Sequence, residues 1–177
     1  MRSTEFAKLH IPIASVKQGD SHFAFRVQSF PDVKEGASFP DPIIVEADVQ
    51  PIGDDFLADI VVESEGSFIC DRCGKTFCRK IKGKVQTFFR YEKGFDTEGD
   101  AEEDEDVRLL QPSDRVLDIS RDVIDSLLLS IPFKNVCREN CKGLCPNCGT
   151  DLNVEPCTCT PRNDDSPWDA LKKIHLD

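Results

Sequence analysis

Apolar and polar side chains alternate along much of the N-terminal half of the chain. Phe23, Phe25 and Val27 alternate with Ala24 and Arg26. From Ile43 to Val49, Val45, Ala47 and Val49 fall on one face and Glu46 and Asp48 on the other. Phe56, Ala58, Ile60 and Val62 stand opposite Asp59 in the next run, and Pro51 to Asp55, with Gly53, predicts a hairpin connection between the two. A later run, Lys80 to Phe89, sets Ile81, Val85 and Phe89 opposite Lys82, Lys84 and Gln86. A period of two with one polar face predicts an antiparallel sheet that is solvated on one side.

The period then changes. Ile119, Val123, Ile124, Leu127 and Leu128 recur at helical spacing, after Asp118, whose carboxylate suits the free N–H groups of a first turn. Pro132 stops the pattern, so a helix over 118–131 is predicted to pack on the sheet. Residues 133–177 are rich in Cys, Gly, Pro and Asn and too few to build a core of their own, which points to a metal as their organiser. Near the C-terminus, Pro167 to Ile174 reads as a short helix capped by Ser166, with Trp168, Leu171 and Ile174 as anchors. The expected fold is α+β: an antiparallel β-sheet core domain with one packed helix at 1–132, then a cysteine-rich, zinc-ribbon-like module at 133–177.

Composition adds three constraints. The 177 residues carry a net charge of −11, which argues against a general nucleic-acid coat, because phosphate affinity comes largely from Lys and Arg. The charge is partitioned. Arg72, Lys75, Arg79, Lys80, Lys82, Lys84, Arg90 and Lys93 outnumber Asp71 and Glu92 between 70 and 93, while seven of the nine residues from Glu98 to Asp106 are acidic. The acidic run has no apolar periodicity and reads as a disordered loop at 97–106. No long apolar run or signal-peptide core occurs, so a cytoplasmic protein with no membrane partner is expected.

In that compartment thiols stay reduced, so the nine cysteines read as metal ligands rather than disulfides. Cys70-Asp71-Arg72-Cys73-Gly74 and Cys145-Pro146-Asn147-Cys148-Gly149 are the same unit, a turn that presents two thiolates to one ion. Cys137, Cys141, Cys157 and Cys159 bring the candidate ligands to eight, enough for one or two structural zinc ions, and Cys78 is left over as a small core residue or surface thiol. One division places Cys70, Cys73, Cys137 and Cys141 on one ion and Cys145, Cys148, Cys157 and Cys159 on another. The other joins the two Cys-x-x-Cys units in a rubredoxin-like site. Iron is the rival metal, since thiolate ligands do not separate the two.

Catalytic readings find no support. His10, His22 and His175 lie far in sequence from every cysteine pair, and Cys70–Cys73 precedes a strand, whereas a thioredoxin-type pair precedes a helix. Phosphate-binding Gly loops, nucleophile elbows and His-Glu-x-x-His are missing, so neither an enzyme nor a small-molecule substrate is expected.

The order of these parts resembles a known family. Cys70-Asp71-Arg72-Cys73 stands before a basic strand, then come an acidic loop and Asp118-Ile119 opening a helix that ends Leu127-Leu128-Leu129-Ser130-Ile131-Pro132. Lys142-Gly143-Leu144-Cys145-Pro146-Asn147-Cys148-Gly149, Asp151-Leu152-Asn153 and Cys157-Thr158-Cys159 follow. From about Ile43 onward the chain resembles the bacterial YceD family, the large ribosomal RNA subunit accumulation proteins. The resemblance implies a small cytoplasmic, zinc-binding factor that supports accumulation or processing of large-subunit rRNA. Family tails tend to read Asp-Pro-Arg, where this chain has Ser166-Pro167-Trp168.

Within that expectation, Arg72, Lys75, Arg79, Lys80, Lys82 and Lys84 form the candidate RNA contact. Lys80, Lys82 and Lys84 on one strand face would be spaced about 6.6 Å apart, close to the phosphate spacing of a nucleic-acid strand. The same lysines would serve equally as the solvated face of a sheet. An adaptor that binds basic ribosomal proteins through its acidic loop and zinc module is the alternative. A zinc-ribbon regulator of transcription fits less well, because no recognition helix flanks the cysteines.

Overall fold

A computed structural model describes residues 8–28, 37–92 and 107–159. The acidic run at 97–106 and the expected tail helix at 167–174 lie outside them. The described elements are β1 (His10–Pro12), a 3-10 turn (Ile13–Ser15), β2 (Ser21–Val27), β3 (Ala37–Ser38), β4 (Ile43–Ile52), β5 (Asp55–Ile69), β6 (Thr76–Tyr91), β7 (Val107–Leu110), β8 (Val116–Asp118) and α1 (Ser120–Leu129).

The alternating runs become the main sheet, in the order β2-β4-β5-β6-β7, with β3 beside the far end of β5. Gly53, at φ +65°, makes the two-residue β4–β5 turn, where a side chain would be strained. The β5–β6 ribbon is much longer than the patterning indicated: it pairs from Phe56↔Phe89 to Ile69↔Thr76, so its far end projects toward the first Cys-x-x-Cys unit.

The sheet is mixed and not purely antiparallel, because β7 runs parallel to β6, with Phe88 opposite Val107 and Tyr91 opposite Leu110. A parallel neighbour needs a connection of about a dozen residues or more to carry the chain back along the sheet. Residues 92–106 supply that length, and their polar sequence masks the following strand.

The inner face of the sheet holds the core. Val45, Ala47, Val49, Ala58, Ile60, Val62, Ile81 and Phe89 are buried beneath Val123 and Leu127 of α1 and beneath Ile11 and Leu117 of the separate β1–β8 ladder. The helix begins two residues later than its apolar pattern suggests. Asp118 ends β8 and pairs with His10, so its backbone stays extended; its Oδ1 nonetheless accepts the Ser120 N–H at 2.9 Å.

The buried stripe of α1 includes polar Asp122 and Ser126 as well as Val123 and Leu127. Asp122 Oδ1 accepts from the Thr87 hydroxyl and from Arg108 Nη2, both at 3.0 Å, which joins the helix to β6 and β7. Ser126 sits over Gly83, where an added Cβ would lie 2.5 Å from the Ser126 carbonyl oxygen. The sheet and helix touch here because β6 carries no side chain. Among the described residues, no helix is long and apolar enough to cross a membrane.

Candidate metal centres

The two Cys-x-x-Cys-Gly units fold into the same turn. In the first, Cys70 N–H donates to the Lys75 carbonyl at 2.9 Å and Gly74 N–H to the Cys70 carbonyl at 2.8 Å. In the second, Cys145 N–H donates to Thr150 O at 2.8 Å and Gly149 N–H to Cys145 O at 2.9 Å. Gly74 and Gly149 have φ of +70° and +76°, a conformation that favours glycine. The repeated sequence is therefore a repeated backbone.

Identical turns do not share a site. Cys70, Cys73, Cys137 and Cys141 form one quartet, and Cys145, Cys148, Cys157 and Cys159 form another. Within each, the sulfurs all lie within 4.8 Å of one another. This is the first of the two divisions considered from the sequence; the rubredoxin-like pairing of both turns is not what the chain adopts. Cys78 lies exposed on β6, outside both quartets. In place of ribbon strands, the segment around the second turn carries an isolated bridge, Leu144 to Asp151.

The donor set and spacing fit a tetrahedral ion. A Zn–S distance of about 2.3 Å implies sulfurs about 3.8 Å apart along each tetrahedral edge. In the first quartet Cys70–Cys141 measures 3.9 Å and Cys73–Cys137 3.8 Å. The second is tighter, with Cys148–Cys157 at 3.5 Å and Cys145–Cys157 at 3.3 Å. All nine thiols are free, and these separations far exceed the roughly 2 Å of a disulfide bond.

Sulfurs this close ionise unevenly. Burial pushes the Cys70 thiol up, but backbone N–H groups of Cys137, Cys73 and Arg72 outweigh it and bring it down to about 6. Burial and the adjoining thiols of Cys141, Cys70 and Cys73 push Cys137 up to about 12. In the second quartet the Thr150 hydroxyl and backbone N–H lower Cys148 to about 6, while Cys157 and Cys148 raise Cys159 to about 12. Cys141 is lowered as well, so each quartet sets thiols held below their ordinary value beside thiols held above it. A divalent ion would displace the protons of the raised thiols, as thiolate sites require.

Three of the six basic candidates bond to this module, although Arg72 and Lys75 also stay exposed. Arg72 Nη1 donates to the carbonyls of Cys141 at 2.8 Å and Glu139 at 3.2 Å, and Arg79 Nη2 donates to Val136 O at 2.8 Å. Lys75 Nζ lies 2.6 Å from Asp151 Oδ2 and holds the Asp151 carboxyl down at about 2. Asp71 and Asn135 exchange two further bonds, Asp71 N–H to Asn135 O at 2.7 Å and Asn135 N–H to Asp71 Oδ2 at 2.6 Å. The β5–β6 turn is in this way laced to the cysteine-rich segment.

The other three, Lys80, Lys82 and Lys84, are exposed on one face of β6. They do not stand alone there. Lys82 Nζ is 2.6 Å from Glu63 Oε1, Lys84 Nζ is 3.9 Å from Asp59 Oδ1, and Lys80 is in register with Glu65. The acidic positions of β5 fill the same face of the sheet.

Sequence reasoning passed over Gly143 and Asn153 as site residues. Gly143 has φ +77°, and a Cβ there would sit 2.9 Å from the Arg72 carbonyl, so this glycine lets Leu144 N–H reach Arg72 O at 3.1 Å. Asn153 Nδ2 donates to Cys141 Sγ at 3.5 Å. The signal was present in Lys142-Gly143-Leu144 and Asp151-Leu152-Asn153, but neither carries a ligand, so spacing rules skip both.

Residues 58–175 match the family described as large ribosomal RNA subunit accumulation protein YceD. The chain belongs to the YceD family. The match begins inside β5, so residues 43–57 lie outside it, and it takes in both quartets. The chain is similar to the chloroplastic large ribosomal RNA subunit accumulation protein YCED homolog 1 of Zea mays, 47% identical over 68 residues, which is 37% of this chain and 23% of the maize protein. It is similar to an uncharacterised protein of Mycobacterium tuberculosis (strain ATCC 25618 / H37Rv), 36% identical over 87 residues, covering 49% of this chain and 40% of that one. The Arabidopsis thaliana YCED homolog 1 is 27% identical over 167 residues, 81% of this chain and 51% of the relative. The chain therefore spans about half or less of the length of these relatives. No solved structure matches it.

Proposed function

We propose that this chain is a non-enzymatic, cytoplasmic ribosome-biogenesis factor that supports accumulation or processing of large-subunit rRNA and is held together by structural zinc. Family membership carries the rRNA role: the matching model and the maize and Arabidopsis relatives all bear that description. The cysteine quartets support the structural metal. Each offers four sulfurs with no histidine or carboxylate among them, the closed donor set of a structural site, whereas a catalytic zinc keeps a position for water or substrate. Cys70, Cys73, Cys137 and Cys141 would hold one ion and Cys145, Cys148, Cys157 and Cys159 the second. The ions would organise residues 133–159 and fasten them to the β5–β6 turn.

This reading gives Arg72, Lys75 and Arg79 a structural task. Four thiolates around a divalent ion carry a net charge of about −2, so cations close to each quartet offset it. Direct RNA contact then falls to Lys80, Lys82 and Lys84. A second reading, an adaptor that binds ribosomal proteins, is favoured by the Glu63 and Asp59 partners of Lys82 and Lys84, which lower the pull of that face on phosphates.

Binding of the purified chain to large-subunit rRNA fragments over a salt series tests the two. Direct contact predicts an affinity that falls steeply with salt and weakens in the triple variant Lys80→Glu, Lys82→Glu, Lys84→Glu. Binding without a salt slope, together with ribosomal proteins that stay attached after RNase treatment in a pull-down, would rule out the lysine face and favour the adaptor. Metal analysis tests the ion: a colourless protein with zinc supports the reading, a red one with iron replaces it.

A further inference from the structure

We propose that the two quartets are linked, and that Asn153 is the positioning residue through which filling the second strengthens the first. The inference rests on the metal reading above and goes beyond it. Asn153 lies in the loop between Cys148 and Cys157, inside the span of the second quartet, yet its side chain serves the first. Its Nδ2 donates to Cys141 Sγ at 3.5 Å, while its Oδ1 accepts from Lys142 N–H and from Arg138 Nη2, each at 2.8 Å. Two of the three groups adjoin or belong to the Cys141 ligand, and the third adjoins Cys137.

The amide is itself held in place. Asp151 Oδ1 accepts from Asn153 N–H at 2.9 Å and from Nδ2 at 2.7 Å, and Lys75, just past the first turn, pairs with the other oxygen of Asp151. Leu152 N–H reaches Gly143 O at 3.0 Å, and Leu144 N–H reaches Arg72 O at 3.1 Å, so the loop also grips the backbone between the quartets. The 148–157 loop is exposed over much of its length and has no core of its own. Closing it on an ion is what fixes Asn153 at its post.

An N–H donor to a thiolate withdraws charge from the sulfur and orients it, the role that groups behind a ligand play in other metal sites, where their loss costs on the order of 10–100-fold in affinity. If loading the second site places that donor, the two ions are coupled, and the coupling must be reciprocal. A filled second quartet then slows loss of metal from the first.

The test compares zinc release to a chelator from four full-length proteins: wild type, the pair Cys148→Ser with Cys157→Ser, Asn153→Ala, and all three changes together. Native mass spectrometry counts the ions in each, and the single-site protein assigns the release phases. The paired serine variant keeps all four ligands of the first quartet, yet it is expected to lose that ion on the order of 10–100-fold faster than wild type. Asn153→Ala is expected to hold two ions and to show the same acceleration at the first site, with a matching loss of affinity at the second. Adding Asn153→Ala to the serine pair is expected to change nothing further.

Cobalt substitution supplies a readout that looser packing would not move in a set direction: losing the N–H donor shifts the thiolate-to-cobalt charge-transfer band to lower energy in Asn153→Ala. Release from the serine pair at the wild-type rate, or a full additional loss on adding Asn153→Ala, overturns the coupling while two bound ions leave the metal reading intact. A wild-type chain that binds no ion overturns both.

Discussion

Cys73→Ser removes one sulfur from the quartet that joins the cysteine-rich segment to the sheet. Structural zinc contributes an apparent 10–16 kcal/mol in small units of this kind, or about 2.5–4 kcal/mol for each of four sulfurs. At about 1.4 kcal/mol per decade, losing one sulfur weakens metal binding by roughly two to three orders of magnitude. The remaining ties are the Asp71–Asn135 exchange, the Arg72 and Arg79 bonds to tail carbonyls, the Leu144–Arg72 bond and the Lys75–Asp151 pair. The hydrogen bonds among them, at about 1 kcal/mol net each, come to less than one ion supplies.

The apolar contact is also small: Cys70, Cys73 and Cys141 pack with Phe77, Val136 and Cys137 in a cluster separate from the main core. Under a fixed chelator concentration, Cys73→Ser should therefore release the segment while the sheet stays folded. Trypsin reads this directly, because Lys134, Arg138 and Lys142 are exposed side chains within it. Wild type should resist cleavage there, and the variant should be cut at all three while a fragment containing β2 to β6 survives. A variant that stays uncut under chelator would show that hydrogen bonds hold the segment without the metal, and the argument would fail.

Two further outcomes follow from contacts elsewhere. Gly83→Val puts a branched side chain against the Ser126 backbone, and overpacking of this kind should cost about 1–3 kcal/mol in urea unfolding followed through the sheet, with metal content unchanged. Lys75 holds the Asp151 carboxyl below its ordinary value of 3.8, at about 2, so the pair stabilises the folded segment from pH 3.8 up to the alkaline range where Lys75 loses its proton, and loses that contribution as the pH falls through about 2. Lys75→Met should therefore release metal at a higher pH than wild type in an acid titration, and coincident release curves would remove the pair from the account.

The legible parts of the sequence share one property: their signal is local. The β4–β5 hairpin could be read because Gly53 and the flanking alternation sit within a few residues of each other. Both Cys-x-x-Cys-Gly turns were readable for the same reason, since each closes its own hydrogen bonds within the unit. The helix is legible, but its start is not, because Asp118 answers to His10 across the β1–β8 ladder as well as to Ser120. The parallel placement of β7 left no local trace, for parallel pairing depends on where a long connection returns.

The role of the basic residues shows the division most clearly. By itself the sequence determined that cations cluster between 70 and 84, that eight cysteines come in metal-binding spacing, and that period-two runs build a sheet, because side-chain chemistry and chain geometry suffice for each. Tertiary structure alone decided which cysteines meet and that Arg72, Lys75 and Arg79 turn toward the tail. It also set Lys82 beside Glu63 and brought Asn153 from one quartet to a sulfur of the other. Those outcomes depend on contacts between residues up to 76 positions apart, as for Lys75 and Asp151, and such contacts exist only once the β5–β6 ribbon is long enough to carry its turn to the returning chain.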